Sequence, residues 1–527
     1  MITLLQHAVT SAAESRPESI AFRCGDQEIS YGQLDEESSR LANFLIRQGA
    51  QKGDRIGVFM PRCVETSVSV YGILKAGCIF VPIDSNLSAG GVATLVNDCS
   101  IRHLLTHPKQ SDVLAKLINK DTTLEYLIGV STTFDIDSIR VFPWDAFSSE
   151  DTLPPPTRMR PEDPAYIMYS SGSTGQPKGI THTHFSGLSY SQLSIETYNV
   201  SPSDVIANHS PINFDMSTFG YFTSCLAGAT TVLIPSAYTM FPSSLAKLIE
   251  NEKITIWYSV PLALIQLLLR TSLEQYDLST IRWVKFGGEP FPPKHLRALM
   301  QAWPRARFSN VYGPAEVNQC TFYHVPPAYA QDANNLPIPI GKVWRNTFAL
   351  IVDQDEQILT NGIVGELLIS SPTMMHGYWG RPERTECSLW QHNDGNKKTR
   401  VYYKTGDLVK RATDGNLLFL GRKDRQIKIR GYRIELDEVE NALNGLPDIE
   451  EAGVFCVVTE DTKEIRAAAI LKDGARTDSE QLKRLLSNQL SQYAIPVSIQ
   501  LVETLPRTTS GKIDRSQLTK EAEGIAP

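Results

Sequence analysis

Along the first half of the chain, short continuous runs of β-branched and aliphatic residues alternate with longer stretches of helical period. DRIGVFM (54–60) leads into VETSVSVYGILKAG (64–77) and then CIFVPID (78–84), a strand, helix, strand order that predicts βαβ units and parallel sheets. ATTVLIP, SLAKLIENEKITIWYSV and STIRWVKFGG continue the alternation, without a fixed-period repeat. Between them, FSSEDTLPPPTRMRPEDPAY (147–166) is rich in Pro and polar residues and predicts an exposed connection. After residue 400 the character changes: YYKTGDLVKRATDGNLLFLGRKDRQIKIRG predicts short strands joined by Asp-Gly and Gly turns. Beyond it, Leu436, Val439 and Leu443 share one helical face, and Leu482, Leu485, Leu486 and Leu490 share another. AGVFCVV and EIRAAAILK are the strands these helices would cover. The pattern predicts a large α/β body followed by an α+β unit of about 100 residues.

Composition narrows the function classes. The chain has 527 residues, 42% hydrophobic and 21% charged, with 34 Gly and 31 Pro, which disfavours disordered and fibrous classes. A net charge of −7, without long single-sign blocks, offers no electrostatic footprint for nucleic acid. The 8 cysteines are scattered without C-x-x-C or metal-like spacing, and are expected to be reduced thiols. Residues 1–20 lack a basic start followed by an apolar run, and the most apolar stretch, Val260 to Leu269, is interrupted by Gln266 and too short for a span. A soluble, cytoplasmic protein without membrane association is the expectation.

The most informative stretch is YSSGSTGQPKG, Tyr169 to Gly179, directly after the apolar Ala165–Met168. Ser170, Ser171, Ser173 and Thr174 supply hydroxyls, Gly172 and Gly175 let backbone close round an anion, and Lys178 adds positive charge: a phosphate cradle, with a flexible linker as the plainer alternative. The Gly-Lys-Ser/Thr of P-loop NTPases is absent. With NFDMS (213–217), NVYGPAE (310–316), YKTGDL (403–408), GRKDRQIKIRGYRIELDEVE (421–440) and PRTTSGKIDR (506–515) following in order, the chain resembles the adenylate-forming enzymes. Within that group it is similar to the amino-acid adenylation domains of nonribosomal peptide synthesis. The resemblance covers nearly the whole length.

What the resemblance implies is specific. The fold would be a core domain, residues 1–423, and a mobile C-terminal domain, 424–527, hinged at Asp424. ATP and an acid would react to an acyl-adenylate, a meeting of two anions that needs cations between them. Lys512 would contact carboxylate and phosphate and is the first catalytic candidate, with Lys178 and Glu316; Glu316 would help hold Mg²⁺. Tyr312 would offer a face to adenine, Asp407 would accept hydrogen bonds from two ribose hydroxyls, and Arg422 would approach the ribose. Where the group usually has Thr, this chain has Ala315, removing one phosphate contact worth about 1 kcal/mol. Gly431 would flank the tunnel of a phosphopantetheine arm that takes the acyl group after the C-terminal domain rotates.

Asp215 points to an amino acid, since a carboxylate on an apolar segment needs a partner and an α-ammonium group supplies one; a helix-capping Asp is the alternative. By position, Met216, Phe219, Tyr258, Lys285, Gly287, Val311, Gln319 and Cys320 complete the pocket. Bulky Met216, Phe219 and Tyr258 favour a compact side chain, and Asp215, Tyr258 and Cys320 together resemble prolyl-adenylating ligases, making L-proline the leading substrate. Alanine, glycine, serine and a β-amino acid are the alternatives. Lys285 is expected to snorkel to solvent; pointing inward, it would favour an acidic side chain. No carrier motif follows Lys512, so the expected partner is a separate carrier protein. An acyl-CoA ligase, or a nucleotide-binding protein without turnover, are the rival readings.

Overall fold

The computed structural model describes residues 2–131, 139–170, 177–332, 334, 336–393, 399–459, 463–508 and 513–523. The chain divides into two compact units: Met1–Ser85, Val96–Tyr169 and Gly179–Lys423 form the first, and Asn86–Leu95, Ser170–Lys178 and Asp424–Pro527 the second.

The alternating runs become strands and helices as expected. DRIGVFM holds the strand Arg55–Phe59, VETSVSVYGILKAG the helix Val64–Lys75 and CIFVPID the strand Ile79–Pro82. The two strands pair in parallel, Arg55 opposite Ile79, within an eight-stranded sheet. They read as unbroken apolar runs because a parallel sheet is covered on both faces. A nine-stranded sheet carries Tyr258, Lys285, Gly287 and Val311, with Ile256–Ser259, Trp283–Gly287 and Arg307–Tyr312 as consecutive parallel neighbours. Trp257, Val284 and Phe286 are buried in a cluster with Leu264, Leu296 and Leu299 from the helices alongside.

A third, five-stranded sheet holds the YKTGDL motif. Here the expectation of short strands joined at Gly is corrected: Thr399–Arg411 is one 13-residue strand. Gly406 stays inside it at φ +72, with its N–H donating to Glu366 Oε1 at 2.9 Å, and the register shifts two residues on. A bulge absorbs the glycine that sequence alone reads as a turn.

In the second unit, the helix Leu436–Asn444 buries Leu436, Val439 and Leu443 against Ile449–Val458 and Lys463–Leu471. The other predicted face is only partly realised. Ser479–Leu486 ends before Leu490, and Leu485 is 41% exposed. Asp478 caps that helix, accepting from Gln481 N–H at 2.8 Å. Among the described residues, no helix is long and apolar enough to cross a membrane.

Candidate active site

The polar half of the site is built at the C-terminal end of the Arg307–Tyr312 strand. The Tyr312 hydroxyl donates to Asp407 Oδ2 at 2.5 Å, and Arg422 donates to Asp407 Oδ1 at 2.6 Å and to the Thr405 carbonyl at 3.0 Å. Asp407 and Arg422 are direct partners across two antiparallel strands, so sheet register presets the pair. Asp407 lies within a strand and is 5% exposed, so its position is fixed by the sheet rather than by a turn. Burial, and then Asp407, raise the Tyr312 phenol well above its ordinary pKa, so it stays a donor. Each carboxylate oxygen has a second lone pair, so the array retains acceptor capacity for hydroxyls.

Glu316 is 0% exposed, and its Oε1 accepts the Tyr378 hydroxyl at 2.8 Å; Tyr378 in turn lies 3.4 Å from the Tyr403 hydroxyl. Beside it, His182 Nε2 donates to the Ala315 carbonyl at 2.9 Å. Burial holds His182 down at about 4 despite that bond and the Glu316 charge, so it is neutral at pH 7. At Ala315 there is no hydroxyl to add. Among the described residues, no group of three or more His, Cys, Asp or Glu side chains gathers as a metal cage.

Asp215 opens a short turn, Asp215–Ser217, with its Oδ1 accepting the Met216 N–H at 2.8 Å. It is half-buried and within electrostatic reach of Tyr190 and Tyr258, whose phenols are raised by burial first and by the Asp215 charge among the lesser causes. Asn318 Nδ2 donates to Thr218 Oγ1 at 3.3 Å, joining the loop after Tyr312 to the Asp215 turn. Gly313 makes that loop possible, because a Cβ there would lie 1.6 Å from the Asn318 carbonyl.

Met216, Phe219, Tyr258 and Val311 lie in one apolar cluster with Tyr190, Tyr198 and Trp283. Gly287 is the register partner of Val311, and only glycine fits there. Gln319 Nε2 donates to the Tyr198 hydroxyl at 3.3 Å. Cys320 falls elsewhere: it packs with Val317, Ile180 and Tyr378, its Sγ 3.5 Å from the Tyr312 carbonyl, on the Asp407 side.

The snorkelling expected of Lys285 does not occur. The side chain is 0% exposed, with Nζ 3.6 Å from the Phe219 ring centre, 4.3 Å from Tyr198 and 4.4 Å from Tyr258. Its mid-strand position, with parallel strands on both sides, turns the side chain into the aromatic cluster rather than out to the surface. Cation–π contacts are worth about 2 kcal/mol each when desolvated, less than the cost of stripping an isolated ammonium of water. Burial accordingly lowers its pKa well below the ordinary lysine value.

Of the remaining candidates, Ser170 ends the strand Pro164–Ser170 and Lys178 begins Lys178–Thr183, where it is buried. Ser171, Gly172, Ser173, Thr174 and Gly175, and the catalytic candidate Lys512, lie outside the described residues. Asp424 is the first residue of the second unit's longest segment, and its carboxylate accepts the Gln426 N–H at 3.2 Å. Gly431, at φ +82, follows Arg430 at φ +53 in a two-residue hairpin between Gln426–Ile429 and Tyr432–Glu435. Both positions need left-handed backbone, so the turn alone accounts for a glycine here. Sequence reading missed Tyr198, Tyr190, Tyr378 and His182. Nothing in their local context marks them, apart from the short His-Thr-His sequence, 182–184, at the end of the strand Lys178–Thr183.

Residues 9–379 match the AMP-binding enzyme family and residues 438–512 the AMP-binding enzyme C-terminal domain. An L-proline--[L-prolyl-carrier protein] ligase of Streptomyces coelicolor is 32% identical over 506 residues, spanning 94% of this chain and 93% of the relative. A protein of the same name from Pseudomonas fluorescens is 30% identical over 521 residues, 99% of this chain and 100% of the other. Among solved structures, the Vibrio cholerae adenylation domain AlmE in complex with glycyl-adenosine-5'-phosphate superposes with a TM-score of 0.83 at 21% identity, covering 99% of this chain and 98% of that one. The large α/β body, the C-terminal α+β unit and these matches agree: the chain belongs to the ATP-using AMP-binding enzyme family.

Proposed function

We propose that the protein activates an amino acid with ATP and passes it to the phosphopantetheine thiol of a separate carrier protein, with L-proline the leading substrate. The substrate carboxylate oxygen attacks the α-phosphorus, the bond to the β-phosphate oxygen breaks, and pyrophosphate leaves. The carrier thiolate then attacks the acyl carbon of the aminoacyl-adenylate, and AMP departs with the bonding pair. Full-length similarity to two proteins named L-proline--[L-prolyl-carrier protein] ligase supports both the reaction and the amino acid.

The observation that carries the reading is a junction: one loop joins a hydroxyl-accepting array, Tyr312, Asp407 and Arg422, to a half-buried carboxylate, Asp215, on the rim of an aromatic pocket. The array suits ribose, and the carboxylate suits an α-ammonium or secondary ammonium group. Lys178 and Lys512 are assigned to neutralise the repulsion between carboxylate and phosphate. Glu316 is assigned to Mg²⁺: one buried carboxylate oxygen donor fits an ion that takes most of its ligands from phosphate and water. That ion, when bound, supplies charge neutralisation at the phosphate oxygens.

ATP–pyrophosphate exchange across the proteinogenic amino acids tests the proposal. Exchange is expected with L-proline, falling by about two orders of magnitude or more in Lys512→Ala and in Asp215→Ala. Undiminished exchange in both variants would remove the site assignment. Transfer to free coenzyme A in preference to a pantetheinylated carrier would move the protein to the acyl-CoA ligases.

A further inference from the structure

Lys285 poses a chemical question that the reaction itself leaves open. Its strand neighbours are Tyr258 and Ser309, and the Tyr198 hydroxyl is already committed, shared with Ser309 Oγ at 3.2 Å and held by Gln319 Nε2. Nζ therefore sees ring faces, and it has no hydrogen-bond partner among the described residues. Among the described residues burial is the one cause of its lowered pKa, with no carboxylate acting against it. A second buried polar atom is also without a partner among the described residues: Gln319 Oε1, on the residue whose amide nitrogen holds Tyr198.

If Lys285 served only to fill the floor of the pocket, Met or Leu would do so without a desolvation cost. A buried amine that no protein group satisfies is accounted for when the ligand satisfies it. We propose that Lys285 is a specificity residue whose amine donates to an oxygen acceptor on the side chain or ring of the activated amino acid. The substrate class is a compact amino acid bearing hydroxyl, carboxamide or carboxylate oxygen, a ring-hydroxylated proline being one member. A hydroxyl would use both orphaned groups, accepting from Lys285 and donating to Gln319 Oε1. The inference rests on amino-acid activation at this site and refines the plain proline ring to its oxygen-bearing counterparts.

The test is pyrophosphate exchange on matched pairs: trans-4-hydroxy-L-proline against L-proline, L-threonine against L-valine, and L-asparagine and L-aspartate against L-leucine. In the wild type, at least one oxygen-bearing member is expected to exceed its apolar isostere in kcat/KM by about tenfold or more. In Lys285→Met that ratio falls to about one. Preference for the apolar member in every pair, or a ratio unchanged in Lys285→Met, overturns the inference and leaves amino-acid activation standing. Exchange with no amino acid at all overturns both. The wild-type comparison needs no variant, and thermal melting of Lys285→Met reports separately on folding: replacing an unsatisfied amine by an apolar side chain of similar length is expected to hold or raise the midpoint.

Discussion

At Gly287 two strands approach so closely that a Cβ would lie 2.3 Å from the Val311 carbonyl and 2.8 Å from its Cγ2. This is a packing requirement rather than a backbone-angle one, since glycine is here the only residue with no side chain to collide. Gly287→Ala is expected to lower stability by about 1–3 kcal/mol, as overpacking does. Lys285 is two residues earlier on the same strand face, so the displacement would also reach the pocket. Thermal melting measures the first effect, and a raised KM for the amino acid in exchange assays measures the second. Asp407 shows the opposite economy of means. Its two oxygens are already held by Tyr312 and Arg422, so the carboxylate is oriented before any ligand arrives and its remaining lone pairs face known directions. The sequence marks Asp407 through its motif, but it does not pair it with Tyr312, which lies 95 residues away.

Elements of the second unit are held by a charge cluster at the start of the Leu436–Asn444 helix. Glu440 accepts from Arg515 and from Arg425, and its Oε2 takes the Val454 N–H at 2.8 Å. Arg425 also pairs with Asp437. Burial pushes the Glu440 carboxyl up, but Arg515, the Val454 N–H and Arg425 together outweigh it and leave the pKa below the ordinary glutamate value. A depressed carboxylate contributes stability above its unfolded pKa and loses it as pH falls through the folded one. Glu440→Gln leaves Arg515 without its anion and Arg425 with Asp437 alone, and is expected to cost about 1–3 kcal/mol. Limited proteolysis of the variant should then cut within 424–527 before the larger unit, whereas susceptibility equal to that of the wild type would contradict this account. Element identity here was legible in the spacing of Leu436, Val439 and Leu443. The end of the Ser479–Leu486 helix was not, because Leu490 continues the period while the packing partners do not.

Across the whole molecule, burial lowers the pKa of three histidines furthest and keeps them neutral. Burial holds His182 and His184 at about 4 and His209 at about 3, with Arg62 adding to the effect on His209. The unfolded chain takes up protons below about pH 6.5 and the folded chain does not, so stability is full above that value and falls as pH decreases toward 4. Each histidine contributes about 1.4 kcal/mol per pH unit in that window. The melting midpoint is expected to stay level between pH 8 and 7 and to drop steeply between pH 6 and 5; a flat profile to pH 5 would refute the assignment. The α/β class, the compact C-terminal unit and the family were all determined by sequence alone, because strand and helix periods and phosphate or ribose motifs are written in neighbouring residues. The direction of Lys285, the departure of Cys320 to the Asp407 side, the continuous strand through Gly406 and the turn that accounts for Gly431 were decided only by tertiary structure. Burial and register are set by segments far apart in the chain, and whether a lysine reaches water or a ring of aromatics depends on which of those segments close over it.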